Sequence, residues 1–438
     1  MTALELAAKL RRREVSSVEL VRASLDAIRA RDGELGAMVE VAARRALRQA
    51  RAADALLARG APGAFLGVPT AIKDHEPVRG MGQRLGSRAF RWMISPVDGY
   101  VARMCRRAGF VIVGKTSCSE LTILPFVDSA LHAPTRNPHD PSRYGGGSSG
   151  GAAVAVAAGL LPIAPGSDGA GSIRIPAAFC GLVGLKPSRG TLPNPYGLFD
   201  GVNLSSMGPL ARTARHAAAL MDVLRGRDDG AFARACDDVV PALRVKLLLD
   251  APLPGVAVAT EHAAAAEDVA RALARLGHRV DRVAAFAGSI DEFLPMMARM
   301  VAKVPLVPGM AGLLEPTTRW LREQGRGVTR SDAAAIAARI AGRVLAWFGD
   351  ADLAVMPTVA QPAPRVGAFA GHSGEAVFRA AAPLGAFTAP FNVSGQPAIS
   401  LPWTTSSSGL PIGVQLVAAP GRDALLVALA TQLAVKTR

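Results

Sequence analysis

The sequence predicts an α/β fold: a large mixed, mostly parallel twisted β-sheet covered by helices on both faces. Three observations carry that reading. Residues 65–115 run apolar segment, helix, apolar segment, the pattern of a βαβ unit whose strands lie parallel. The alternation returns with a strand at Leu243–Leu249, a helix at Ala263–Leu276 and a strand beginning at His278–Val280. From Phe387 to Leu416 short apolar runs then sit between Gly/Pro turns, as further strands of one sheet would. Half of the 438 residues are apolar, which is ample for a core of this size.

Taken in order, residues 3–59 read as helical. Ser16-Ser17-Val18-Glu19 is a capping box with Ser16 as N-cap and Glu19 at N3, and a second helix spans Val39–Arg59 before Gly60-Ala61-Pro62-Gly63 ends it. Phe65–Asp74 is a short apolar run that closes on charge, so it reads as a buried strand with Lys73 at its end. A loop covers 79–90, a helix Tyr100–Arg107, and a second buried strand Gly109–Gly114 feeds Lys115-Thr116. Pro134–Arg143 (PTRNPHDPSR) reads as loop without a strand. Ala152–Leu161 is an apolar helix, Pro162–Pro165 a short strand and Ala211–Arg225 a helix. Phe293–Phe348 is mostly helical with weak patterning, which suits a lid or outer layer; Ala351–Pro357 is a core strand and Asp423–Val435 a final helix. No linker or repeat divides the chain, so a single domain is expected over 1–438. Within it 1–60 is a helical arm, 61–225 the core that carries the site, 240–350 a variable region and 351–438 the completion of the core.

Composition excludes several classes of function. The formal charge of +15 comes from 43 Arg and 7 Lys spread along the chain, with no aromatic residues interleaved among them, so it reads as a solvated surface and not a nucleic-acid platform. Cysteines at 105, 118, 180 and 236 have no metal-ligand or disulfide spacing. Charge runs through the first thirty residues, and no uncharged apolar run is long enough to span a bilayer. A reduced cytoplasmic protein with no metal, no cofactor, no membrane and no nucleic-acid partner is expected; a homodimer is left open. The Arg bias has a further use, because a chain that writes Arg for a surface cation needs a reason for each Lys.

Two glycine-lined serine loops stand out, Gly145-Gly146-Gly147-Ser148-Ser149-Gly150-Gly151 and Gly166-Ser167-Asp168-Gly169-Ala170-Gly171-Ser172-Ile173-Arg174-Ile175-Pro176. Glycine beside serine exposes both a hydroxyl and unshielded backbone N–H groups. The first loop could cradle phosphate at a helix start, but it lacks the Lys-Ser/Thr of a P-loop. It also fits Gly-x-Ser-x-Gly, the nucleophile elbow, which needs a preceding strand and a late histidine; His372 is the one placed for that.

Ser148 and Ser172, with Lys73 upstream, resemble the amidase signature family. The likeness extends over Gly67–Asp74, Gly114-Lys115-Thr116, Pro134–Pro138, Asp140–Arg143, Gly181–Pro187, Phe391-Asn392, Gly395-Gln396-Pro397 and Gly409–Gln415. It implies that family's fold and an amidohydrolase that cleaves a linear C–N bond of a small-molecule carboxamide through an acyl-enzyme. In that scheme Lys73 is the base, Ser148 relays the proton after a cis peptide bond, and Ser172 attacks the carbonyl. The N–H groups of Gly169, Ala170, Gly171 and Ser172 form the oxyanion hole, Ser149 supports the first loop, and Asp168 and Arg174 are structural ion partners. The chemistry is coherent: serine needs a base, and lysine serves once burial lowers its pKa, whereas arginine stays protonated. Two departures stand beside the likeness, Ala170 in place of glycine and Asp74-His75-Glu76 in place of Asp-Asn. Residues 230–350 match nothing, so the substrate expectation, an apolar or aryl-containing amide, rests on the apolar lid alone. The alternatives are the amidase-like subunit of a tRNA-dependent amidotransferase and a catalytically silent binding protein.

Overall fold

A computed structural model describes residues 1–194, 201–227 and 229–436. Helix Ser17–Leu35 is capped as its sequence directs: Ser16 Oγ accepts from Glu19 N–H at 3.2 Å, and Glu19 Oε2 accepts from Ser16 N–H at 2.8 Å. The next helix starts later than its apolar pattern suggested. Residues Met38–Val41 form strand β1, and the helix covers Ala43–Ala58. β1 pairs antiparallel with β3 (Val111–Thr116), which lies parallel to β2 (Pro69–Lys73), so the expected βαβ unit is present with the helix Tyr100–Arg107 as its crossover. Every residue of β2 and β3 is buried.

A two-stranded hairpin follows, β4 (Arg136–Asn137) with β5 (Asp140–Tyr144). It corrects the expectation of loop throughout 134–143: Pro141 is tolerated because a two-stranded ribbon leaves one edge of each strand unpaired. The large sheet is built from β6 (Ala164–Asp168), β7 (Val183–Lys186), β8 (Ser206–Ala211), β9 (Arg244–Leu247), β10 (Arg279–Arg282), β11 (Leu353–Pro357), β12 (Ala398–Thr405) and β13 (Pro411–Ala418). Their order is β10-β9-β11-β13-β12-β7-β8-β6. The sheet is mixed, as expected, but "mostly parallel" is corrected: β10–β9 and β9–β11 are parallel, and every other neighbouring pair is antiparallel. For β12 and β13 the cause is connection length. A parallel pair needs a crossover such as helix Thr260–Arg275, whereas the tight turn 406–410 can only fold β12 back on β13. In the tail the strands begin at Ala398, since Ala389–Val393 is a short helix.

Helices cover both faces. Ala214–Arg225 and Asp423–Lys436 pack in one apolar cluster, while Gly150–Ala157 lies in a second, against Ala71, Val111 and Val113 of the smaller sheet. The region 290–348 is helical as expected and forms an outer layer: Ile290–Ala302, Pro316–Gln324 and Arg330–Phe348. One joint between this layer and the core is acidic. Glu315 N–H donates to Glu120 Oε2 at 2.8 Å, and Ala130 N–H donates to Glu315 Oε1 at 2.9 Å. Burial, and then the neighbouring Glu120, push the Glu315 carboxyl up to about 7. Because the folded state holds this proton more tightly than the unfolded chain, stability falls as pH rises from the ordinary carboxyl range to about 7. Glu315→Gln is therefore expected to raise unfolding stability by about 2 kcal/mol above pH 7 and to leave it little changed at pH 4, as read by urea denaturation at both values.

Candidate active site

Each of the three central side chains is placed by a different element. Lys73 ends β2, the register setting it opposite Thr116 of β3, and Thr70 Oγ1 ties β2 to Ile163 O at 3.0 Å, just ahead of β6. Ser148 sits in the loop that opens helix Gly150–Ala157, after a Gly147–Ser148 peptide that is cis, as the resemblance implied. Gly147 is glycine of necessity, since a Cβ there would lie 2.7 Å from Phe126 N. Ser172 lies beyond β6, just ahead of helix Arg174–Cys180.

Lys73 is fully buried, and its Nζ donates to Ser148 Oγ at 2.7 Å, Ser167 Oγ at 2.9 Å and Ser149 Oγ at 3.0 Å. Burial pulls its pKa down to about 8, against the opposing pull of Cys118, Asp168 and Glu76. The two loops are stitched together by Ser149, whose N–H donates to Ser172 O at 3.1 Å and whose Oγ donates to Ser167 O at 3.0 Å. Ser167 is the residue that sequence reasoning passed over. It lies in β6 inside the quoted loop, and the available signal was a third hydroxyl next to glycine.

Asp168 and Arg174 form a buried ion pair at 2.9 Å with no exposure of either side chain. Asp168 also accepts from the N–H groups of Gly171 at 2.7 Å and Ile173 at 3.2 Å, while Arg174 donates to Thr388 O, Gln415 Oε1 and Asn392 Oδ1. Burial alone would raise the Asp168 carboxyl, but the Arg174 guanidinium holds it well below the usual range. Removing one partner leaves a buried charge uncompensated, so Asp168→Asn is expected to cost about 3–5 kcal/mol of unfolding free energy at neutral pH, measured in denaturant.

The second loop corrects one assignment and shows why Ala170 fits where the resemblance has glycine. Gly171 N–H is committed to Asp168 Oδ1, so it is not a free donor of the expected oxyanion set. The N–H groups of Gly169, Ala170 and Ser172 have no bond to another described residue. Positive φ falls at Gly171, at +124°, where a Cβ would lie 2.2 Å from Thr388 Oγ1. Ala170 is outside the left-handed region, and its carbonyl accepts from Thr388 Oγ1 at 2.8 Å.

Ser148, Ser167, Gly169, Ala170 and Ser172 all line one cavity. Its far wall comes from the region the sequence left unmatched, including Phe286, Phe293, Met297, Met300 and Ile340. His75, next to Lys73, is buried and held neutral, its pKa pushed well below the usual imidazole value by burial and by Lys73 and Lys115. His372 is exposed and does not line the cavity, so the histidine expected of a nucleophile elbow is missing from it, although β5 does precede the first loop. Among the described residues no group of His, Cys, Asp and Glu could hold a metal ion, the four cysteines are free and buried, and no helix is long and apolar enough to cross a membrane.

A family model described as Amidase matches residues 19–427. The chain belongs to the amidase family. It is 35% identical to a 6-aminohexanoate-cyclic-dimer hydrolase of Paenarthrobacter ureafaciens, over 96% of this chain and 91% of that one. A solved structure of 6-aminohexanoate cyclic dimer hydrolase in complex with substrate superposes with a TM-score of 0.88 at 33% identity, covering 99% of this chain and 96% of that one. A bacterial aryl acylamidase of the amidase signature family superposes with the same TM-score at 26% identity, covering 99% and 95%. As an amidase family member the protein is a hydrolase of C–N bonds, and the expectation of the amidase signature fold holds.

Proposed function

We propose that the protein hydrolyses small-molecule carboxamides through an acyl-enzyme on Ser172, with Lys73 as base and Ser148 as relay. One observation carries this reading: a fully buried lysine, its pKa drawn down to about 8, bonded to three serine hydroxyls beside the cavity that Ser172 lines. Neutral Lys73 takes the Ser148 proton, Ser148 takes the Ser172 proton, and Ser172 Oγ attacks the amide carbonyl. The amides of Gly169, Ala170 and Ser172 receive the oxyanion, a contribution of about 3 kcal/mol per well-aimed donor. The amine leaves with the proton returned through Ser148, and water then attacks the acyl-enzyme under the same base. Asp168 and Arg174 hold the second loop, and Ser149 and Ser167 hold the lysine.

The substrate is read as an apolar or aryl-containing amide, because aromatic and methionine side chains form the far wall. The similar hydrolase named for a cyclic dimer widens this from linear amides to cyclic ones. A panel of aliphatic, aryl and cyclic amides, assayed for amine or ammonia release, tests the proposal together with labelling by a sulfonyl fluoride. Turnover, with a label mapped to Ser172 that vanishes in Lys73→Ala, is expected. A protein that turns over nothing and takes no label would overturn it.

A further inference from the structure

Among the described residues two charged side chains line this otherwise uncharged cavity, Glu292 and Arg343. Glu292 lies in the first turn of helix Ile290–Ala302 and Arg343 in helix Arg330–Phe348, so both belong to the outer layer and not to the loops that carry the serines. Arg343 Nη2 donates to Glu292 Oε2, and Arg339 Nε stands 3.7 Å from Glu292 Oε1. Two guanidinium groups therefore share one carboxylate, and of the two only Arg343 lines the cavity. Arg343 Nε, meanwhile, is buried with no hydrogen-bond partner. A buried guanidinium N–H without an acceptor is costly, and the planar fork of Arg matches a carboxylate through paired N–H donors. A helix-to-helix staple would use the guanidinium for Glu292 alone and would give no account of the open Nε or of its place on the cavity wall.

We propose that Arg343 is a specificity residue that anchors a carboxylate on the substrate, remote from the scissile amide. The preferred substrate is then an amide whose chain crosses an apolar channel and ends in a carboxylate, with Glu292 holding Arg343 in position. This rests on the amidase reading above.

The test uses two amides of equal length, the anilide of hexanoic acid and the monoanilide of adipic acid, which differ in a terminal methyl against a carboxylate. Their kcat/KM values are compared, and their binding to Ser172→Ala is measured by calorimetry. The native protein should favour the carboxylate, mainly through KM. Arg343→Met should lower the carboxylate-to-methyl ratio by roughly tenfold to a hundredfold. Glu292→Gln, whose Oε1 can still accept from Arg343 while the competing negative charge is removed, should keep or raise that ratio. Equal losses on both amides in both variants would make the pair a structural staple and overturn the proposal, as would a native protein without preference. If neither amide is turned over but Ser172→Ala binds the carboxylate amide more tightly in an Arg343-dependent way, the anchor stands and the hydrolase reading falls.

Discussion

Ser172→Ala is expected to lower amide turnover by a factor on the order of 10⁴ or more, to abolish sulfonyl fluoride labelling, and to leave the fold unchanged. The loss is large because in the proposed mechanism no other group is placed to form the acyl intermediate. Ser148 Oγ is held at 2.7 Å by Lys73, and Ser149 is tied to Ser167, so neither hydroxyl can take over at the carbonyl. The fold is spared because Ser172 contributes its backbone to the structure, its carbonyl accepting from Ser149 N–H, while its Oγ is bonded to no other described residue. Amide hydrolysis and circular dichroism on the purified variant check both halves. Residual turnover above about 1% of native would assign the attack to another serine.

The site was legible where chemistry constrains residue type, and illegible where only packing does. Lysine scarcity against arginine marked Lys73, but it marked Lys115 and Lys186 equally. All three are buried, and Lys115 spends its donors on the carbonyls of Asp74, Glu76 and Gly82. The signal marked Lys9 and Lys303 as well, neither of which is buried, so it takes burial to pick out the three and geometry to separate a base from a clamp. Ser167 was missed because the sequence reading ends the strand at Pro165, whereas β6 runs to Asp168 and brings Ser167 to Lys73. A glycine pattern shows that one residue of a loop needs positive φ without showing which; the structure puts that demand on Gly171 and not on Ala170, where this chain departs from glycine. The direction of the sheet went wrong for a similar reason. Apolar runs locate strands, but pairing depends on connections whose path the apolar pattern does not record. Nor could the cavity wall be read from Phe293 and Met297, whose helix is amphipathic whether it faces a core or a ligand.

For Lys73 the expected result is a pH profile with a single rising limb. Burial brings its pKa to about 8, so about a tenth of the lysine is neutral at pH 7 and about nine-tenths at pH 9. In the proposed mechanism the neutral amine is the base, hence kcat/KM should climb through pH 8 and level off above about pH 9. Lys73→Ala should lose about 10³- to 10⁴-fold and, with it, that limb. Lys73→Arg is the more decisive variant, because it keeps a cation that can donate to the three hydroxyls and removes the capacity to lose a proton. If Lys73 serves only as a positive hydrogen-bond donor, Arg retains substantial activity; if it is the base, Arg is as inactive as Ala. The linked stability has the same origin and a defined sign. A folded-state pKa below the lysine's ordinary 10.5 means that the native protein binds fewer protons than the unfolded chain between about pH 8 and 10.5. The Lys73 contribution to stability therefore rises across that window, while below pH 8 the buried ammonium weighs against the fold. A native kcat/KM that is flat from pH 6 to 9, or an active arginine variant, would remove Lys73 from the role of base.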